Sequence, residues 1–454
     1  MITFPPVQPL DLSDPRTGQV RTQLAPGGPD EVTAAVAAAR GALGTWAGLT
    51  AKERSHRLLA LVAAIETQIE LYVRQEVAGT GKSVVDARAE VLQAADVLRF
   101  YAGAVRADLT PAAGQRLPGR ESWVRWEPIG VVAAIVPWNY PLLMAAWRLG
   151  PALAAGNTVV LKPAQTTPDT AVLLARHAAE TLGPGVLVAL PGDRGTGRLL
   201  VGAAVDAVAF TGSQAGGLDV VTRAGLRRVS LELGGNCAAV VLPDAPDDTY
   251  AAIVAACTYN AGQSCAAPAR VLTLRSHHDE AVERLAAAMS ARRAGPDFGP
   301  LNNPDQLARF DAIAAESMAG VRRSGPLALA DGETDGFWRA GLILADLPPD
   351  DPAVTREMFG PALTVQAADD VDGLIALANS VPQALAASVW GSAVGVALRV
   401  AGELDCGEVW VNCHLEQTAE LPHGGRRGSG HGTDLSVLAL TEYQRPKTVT
   451  VRLD

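Results

Sequence analysis

A thiol and a carboxylate lie 33 positions apart in two small-residue segments, Asn260-Ala-Gly-Gln-Ser-Cys265 and Leu231-Glu-Leu-Gly-Gly-Asn236. A cysteine can attack a carbonyl carbon, and a thioester formed in this way must be hydrolysed by water that a base activates. Cys265 and Glu232 are residue types suited to those two tasks. Asn139, in Pro137-Trp-Asn-Tyr-Pro141, adds a side-chain amide. Flanked by prolines it reads as a turn residue between strand and helix. It also reads as an oxyanion donor which, with the backbone N–H of Cys265, would contribute about 3 kcal/mol to a tetrahedral alkoxide.

A free thiol has a pKa of about 8.5, so an unassisted Cys265 is only a few per cent thiolate at neutral pH; a helix N-terminus or a neighbouring positive charge would raise that fraction. The other cysteines, Cys237, Cys257, Cys406 and Cys413, read as small buried hydrophobes. Five cysteines, odd in number and without CxxC, indicate neither a disulfide framework nor a zinc knuckle, and a reducing cytoplasm is the expected setting.

These groups need elements to position them. Between residues 130 and 231, short β-rich runs (131–136, 158–161, 186–190, 207–211, 229–231) alternate with helical stretches (142–155, 168–182, 215–225). This βαβ alternation predicts a buried parallel sheet with right-handed crossovers. A second alternation starts at 238–242 and runs through 251–259, 271–274 and 278–291. The boundary therefore falls near 232–236, which puts Glu232 at a hinge between two sheets, and interdomain clefts are common sites for chemistry. Helices are expected at 30–42, 52–78 and 83–104. Residues 108–120, rich in Pro and Gly, read as a connecting arm, and 424–432 as no more than a glycine-dense stretch.

At 454 residues the chain is long enough for two or more domains, and its 48% hydrophobic and 19% charged content is that of a globular enzyme. A formal net charge of -10 argues against nucleic-acid and anionic-membrane partners. The apolar runs are too short to cross a bilayer, and Met1-Ile-Thr-Phe-Pro-Pro6 lacks the pattern of a signal peptide.

Together with Glu357-Met-Phe-Gly-Pro361, these segments resemble the aldehyde dehydrogenase superfamily almost end to end. The resemblance implies two parallel-sheet α/β domains, one dinucleotide-binding (1–107 and 129–231) and one catalytic (232–430), plus a small β arm for homo-oligomerisation (108–128 and 440–454). It implies NAD or NADP as cofactor, an aldehyde as substrate, Cys265 as nucleophile, Glu232 as base and Asn139 as oxyanion donor. Cofactor contacts would come from Pro137, Trp138, Lys162, Gln165, Gly212, Ser213, Gly217, Leu233, Gly234, Glu357 and Phe359. Lys162 matches a lysine on the adenosine ribose. Gln165 stands where most NAD-preferring relatives carry Glu, so the charge that repels a 2′-phosphate is missing. No GxGxxG follows any predicted strand, so the cofactor inference rests on the family pattern.

Tyr140, Met144 and Trp147 share one face of the predicted helix after Pro141. That face reads as core packing on its own, and by resemblance as the wall of an aldehyde tunnel that suits an alkyl chain or an ammonium. Asn139-Tyr-Pro-Leu-Leu-Met-Ala-Ala-Trp147, Ser388-Val-Trp390 and Glu420-Leu-Pro-His-Gly-Gly425 resemble the 4-aminobutyraldehyde dehydrogenase branch. Glu416 and Glu420 read equally as solvated loop acids or as an attractive tunnel mouth for an amine. Ser264, before the nucleophile, borders the substrate side, and Asp434 matches a glutamate proposed to relay protons. The alternatives are a broad-specificity or betaine-type aldehyde dehydrogenase and a non-catalytic relative, which would be expected to have lost one of Cys265, Glu232 or Asn139.

Two other patterns are set aside. Gly79-Thr-Gly-Lys-Ser83 resembles the end of a P-loop, but Glu76 replaces the required glycine and a helix precedes it, so it reads as a loop between helices. His414, His423 and His431 lack i, i+4 spacing and a carboxylate frame, so no metal site is expected.

Overall fold

The computed structural model describes residues 9–107 and 113–453. The opening hexapeptide and part of the arm predicted at 108–120 lie outside these residues. Among the described residues no helix is long and apolar enough to cross a membrane.

A five-stranded sheet, all parallel, has the order Leu187–Ala189, Thr158–Lys162, Val131–Ile135, Ala207–Gly212, Arg228–Leu233. The two central strands, Thr158–Lys162 and Val131–Ile135, are buried along their whole length, as continuous apolar runs in a parallel sheet must be. Helices Pro141–Ala154, Asp169–Thr181 and Gln214–Ala224 provide crossovers as expected; the further helix Arg194–Gly202 is not among those expected, since Gly195, Gly197 and Gly202 weaken its helical signal.

Four residues after Leu233, at Cys237, the chain enters a second sheet. Its order is Val321–Ser324, Leu342–Ala345, Ala362–Ala368, Pro268–Leu274, Cys237–Val241, Ala386–Trp390, Glu408–Val411. All neighbours are parallel except the edge strand Val321–Ser324, which is antiparallel. Gln444–Arg452 pairs antiparallel with Arg120–Pro128, and Gly114–Leu117 completes a separate three-stranded sheet.

The helix expected at 52–78 is two helices, Ala51–Thr67 and Ile69–Thr80, divided at Gln68, whose backbone leaves the helical region. The P-loop-like segment is a link between helices, as its pattern indicated. Gly81 ends one helix at φ +74 and Ser83 caps the next by accepting from the Asp86 N–H.

Candidate active site

The seam between the two sheets gathers the residues singled out above. Glu232 lies on the last strand of the first sheet, is 1% exposed, and has no hydrogen-bond partner for Oε1. Ligand atoms of Glu232, Cys265 and His423 lie within 4.8 Å of one another. Burial first, then the Glu232 carboxylate, hold the Cys265 thiol well above its ordinary pKa. A protonated thiol thus stands beside the Glu232 carboxyl group. It does not sit at a helix N-terminus: it follows the short turn Tyr259–Gly262 and precedes the strand Pro268–Leu274.

That turn is unusual. Asn260, Ala261 and Gly262 all have positive φ (48°, 54° and 72°), a conformation costly for L-residues that persists where surroundings over-determine it. The surroundings are dense here. A Cβ on Gly262 would lie 2.2 Å from the carbonyl oxygen of Gly360, and one on Gly235 would lie 2.2 Å from that of Cys265. The Asn139 Nδ2 donates to the Gln263 carbonyl at 2.9 Å, and the Asn260 Nδ2 donates to the Asn139 carbonyl at 3.0 Å. Asn139 therefore faces the loop that carries Cys265.

Sequence reasoning missed what lies behind Asn139. Lys82 donates to the Asn139 carbonyl at 3.0 Å and forms a buried ion pair with Glu90. Glu76 accepts from the Leu142 N–H at 3.1 Å and from the Thr170 hydroxyl at 2.8 Å, while burial pushes its pKa up to about 8. Two acids thus cap the N-terminus of helix Pro141–Ala154. The Lys82 and Glu76 of the false P-loop are the props of the oxyanion turn; a buried, paired lysine carries no signal in a linear pattern.

On the other side of Cys265 is a cleft lined by Gly235, Ser264, Cys265, Glu357, Phe359 and Gly360, among others. Glu357 accepts from the Gly235 N–H at 3.1 Å, and desolvation lifts its pKa to about 8. A Cβ on Gly234 would stand 2.1 Å from Glu357 Oε2, so the close approach needs glycine. Phe359 has φ +51 and its ring meets Trp138 edge-on at 5.4 Å. Gln306 and Arg309 of helix Pro304–Glu316 donate to the carbonyls of 357–359 and fix this loop.

Lys162 ends its strand, buried, with its pKa lowered to about 8 by desolvation, and donates to the Pro163 carbonyl at 2.9 Å. Ser213 caps helix Gln214–Ala224, and Gly217 packs against Leu233, where a Cβ would come within 2.7 Å. Pro137, Gln165 and Gly212 are half-buried near the carboxyl ends of the same parallel strands, where open α/β sheets bind ligands. Lys162, the cap at Ser213, the glycine contacts and the cleft at Glu357 and Phe359 fit a dinucleotide.

Tyr140, Met144 and Trp147 are buried. Tyr140 stacks on Tyr259 at 6.3 Å, and the Lys82 ammonium stands 4.6 Å from its ring centre. Ser264 is buried beside the Tyr140 hydroxyl. Glu416 and Glu420 are exposed, and Glu420 accepts from Thr418. Asp434 is buried against Arg148, Oδ1 to Nη1 at 2.9 Å.

Two sequence readings are corrected. Residues 424–432 are not inert: His431 and Gly432 donate to the Leu231 carbonyl, the Leu233 N–H donates to the Ser429 carbonyl, and Ser429 Oγ donates to the Gly234 carbonyl. Glycine is needed there because a Cβ at Gly430 would lie 2.4 Å from the Leu231 oxygen. And His423 does have a carboxylate frame, from Glu408 at 2.9 Å and Glu232 at 3.8 Å. Those acids are remote in sequence, so no spacing rule could find them.

The aldehyde dehydrogenase family model matches residues 6–449. The chain belongs to that family. A betaine aldehyde dehydrogenase from Bacillus subtilis (strain 168) is 33% identical over 442 residues, 93% of this chain and 90% of that protein. Among solved structures, a γ-glutamyl-γ-aminobutyraldehyde dehydrogenase from Burkholderia cenocepacia is 36% identical with a TM-score of 0.91, covering 98% of this chain and 94% of that one. A Staphylococcus aureus betaine aldehyde dehydrogenase in complex with NAD+ is 28% identical with a TM-score of 0.93, covering 98% and 94%. The protein is thus an aldehyde dehydrogenase-fold enzyme, with the two parallel-sheet layers and small antiparallel sheets expected from sequence.

Proposed function

We propose that the protein oxidises an ω-aminoaldehyde such as 4-aminobutyraldehyde to its acid with NAD or NADP. The observation that carries the oxidation is the convergence of Cys265, Glu232 and Asn139 at one buried seam. Cys265, relieved of its proton by Glu232, adds to the aldehyde carbonyl to give a thiohemiacetal, and Asn139 donates to its alkoxide. The nicotinamide, when bound, accepts the hydride. Glu232 gives up the thiol proton to solvent and is again a base; the thioester left on Cys265 is then attacked by a water whose proton Glu232 takes and passes to the departing sulfur, releasing acid and thiol.

Lys162, Gln165, Gly212, Ser213, Gly217, Leu233, Gly234, Glu357 and Phe359, with Pro137 and Trp138, hold the cofactor in this reading. The first sheet with the N-terminal helices (1–107 and 129–231) is the cofactor unit, 232–430 the catalytic unit, and 108–128 with 440–454 the arm that joins copies of the chain. The NAD+ bound in the S. aureus relative supports the cofactor class.

The aminoaldehyde is supported by the likeness to the γ-glutamyl-γ-aminobutyraldehyde dehydrogenase and by the wall of Tyr140, Met144 and Trp147, while the Bacillus subtilis relative supports a betaine-type substrate. A broad-specificity or betaine-type enzyme is the second reading. The broad-specificity form of that second reading rests on Lys82 already occupying the ring of Tyr140 and on Glu416 and Glu420 standing in solvent, features that suit an alkyl chain. Steady-state reduction of NAD and NADP with 4-aminobutyraldehyde, betaine aldehyde and butyraldehyde decides between them. Preference for the aminoaldehyde in kcat/KM is expected; preference for butyraldehyde would discard the aminoaldehyde in favour of broad specificity, preference for betaine aldehyde would favour the betaine-type reading, and no turnover with any would discard catalysis.

A further inference from the structure

Glu232 presents a problem of charge. It is 1% exposed, its Oε1 accepts no hydrogen bond, and it must be ionised to act as a base. A buried carboxylate without a cation is strongly disfavoured. Two cations lie near it. Arg148, from helix Pro141–Ala154, is committed elsewhere: it meets Asp434 at 2.9 Å and donates to Thr211, Ser230 and the Phe210 carbonyl.

His423 is the other. It is 1% exposed, and its Nε2, which makes no hydrogen bond, points to Glu232 Oε1 at 3.8 Å. Its Nδ1 lies 2.9 Å from Glu408 Oε2 and 2.9 Å from Gln417 Nε2. The ring meets the edge of Trp147 at 5.1 Å, and the His423 backbone is clamped by reciprocal hydrogen bonds with Asp434. The charged and titratable groups facing the pair are Glu408, Asp434, Arg148, the Cys265 thiol and, across the thiol, Glu357. Burial opposes a charged imidazole, yet the carboxylates of Glu232 and Glu408 more than offset it and lift the His423 pKa to about 9.

We propose that His423, oriented by Glu408, is a positioning residue for catalysis: it supplies the positive charge that keeps Glu232 ionised and aimed at the Cys265 thioester. The inference rests on Glu232 being the hydrolytic base. The array Glu408–His423–Glu232 resembles the carboxylate–imidazole pairs that orient a ring and set its charge elsewhere. It also gives the 424–432 bracket a purpose, since that segment carries His423 to the strand of Glu232.

The test is the pH profile of kcat in the full-length enzyme, measured for His423→Phe and Glu408→Gln with a saturating aldehyde and NAD. An opposite charge at this range displaces a carboxyl titration by about one to three pH units. The acid limb of kcat is expected to move to higher pH by about one unit or more in His423→Phe, lowering kcat about tenfold near neutrality and recovering at alkaline pH. Glu408→Gln should move it the same way by less. A limb unmoved in either variant would overturn the proposal, and Glu408→Gln, at the edge of the array, keeps it open to refutation if His423→Phe fails to fold. Failure of the underlying reading looks different: Glu232→Gln that still hydrolyses the thioester at the wild-type rate removes the base itself, whatever the two limbs do.

Discussion

The seam around Cys265 and the loop around Glu416 and Glu420 are built on opposite principles. At the seam the groups around the Cys265 thiol are held by partners from other elements: Asn139 by Gln263 and, through its carbonyl, by Lys82 and Asn260, Glu357 by Gly235, and the turn before Cys265 by Gly360. In the loop, both carboxylates stand in solvent, and Glu420 answers only to Thr418 two residues away. Packing fixes the reacting atoms to a fraction of an ångström, while a solvated acid is screened and mobile. The chemistry is thus rigid, and electrostatic selection from this loop is weak.

The comparison breaks most sharply at the thiol. Cys265→Ala should abolish aldehyde-dependent cofactor reduction, by about 10⁴-fold or more in kcat; turnover at the wild-type rate would place the chemistry elsewhere. Gly234→Ala forces a methyl against Glu357 at 2.1 Å, and displacement of that loop should lower kcat/KM for the cofactor by about 100-fold, readable by titrating NAD against a fixed aldehyde. Lys82→Met leaves Glu90 buried without its cation; thermal or urea unfolding should show a loss of about 3 to 5 kcal/mol, with a drop in kcat because the Asn139 carbonyl loses one of its holders. At the far end, Glu416→Gln with Glu420→Gln should change kcat/KM for an aminoaldehyde by less than about threefold at moderate salt. A tenfold loss confined to the charged substrate would show that the loop selects after all.

What the sequence made legible follows the same division. The βαβ alternation located the central strands to within a residue or two because parallel strands buried on both faces are uninterrupted apolar runs. Cys265, Glu232 and Asn139 stood out by residue type and by their glycine- and proline-rich neighbours. Lys82, Glu76 and His423 did not, because their roles come from contacts 57, 66 and 191 positions away, with the Asn139 carbonyl, the Leu142 N–H and Glu232. The split at Gln68 was hidden for another reason: apolar spacing continues through a break that only the backbone records.

The contact between Gly262 and Gly360 has a consequence for how such a site can change. The turn that presents the nucleophile and the loop that carries Glu357 and Phe359 touch backbone to backbone, with no side chain between them to trim or enlarge. A shift of the turn before Cys265 presses directly on the loop of Glu357 and Phe359, so neither is free to move without the other. The helix after Tyr140 and the loop at 413–421 meet the seam through side chains, which can be exchanged one at a time. Divergence of this enzyme from its relatives is therefore free to alter which aldehyde enters, while the two turns can drift only in step.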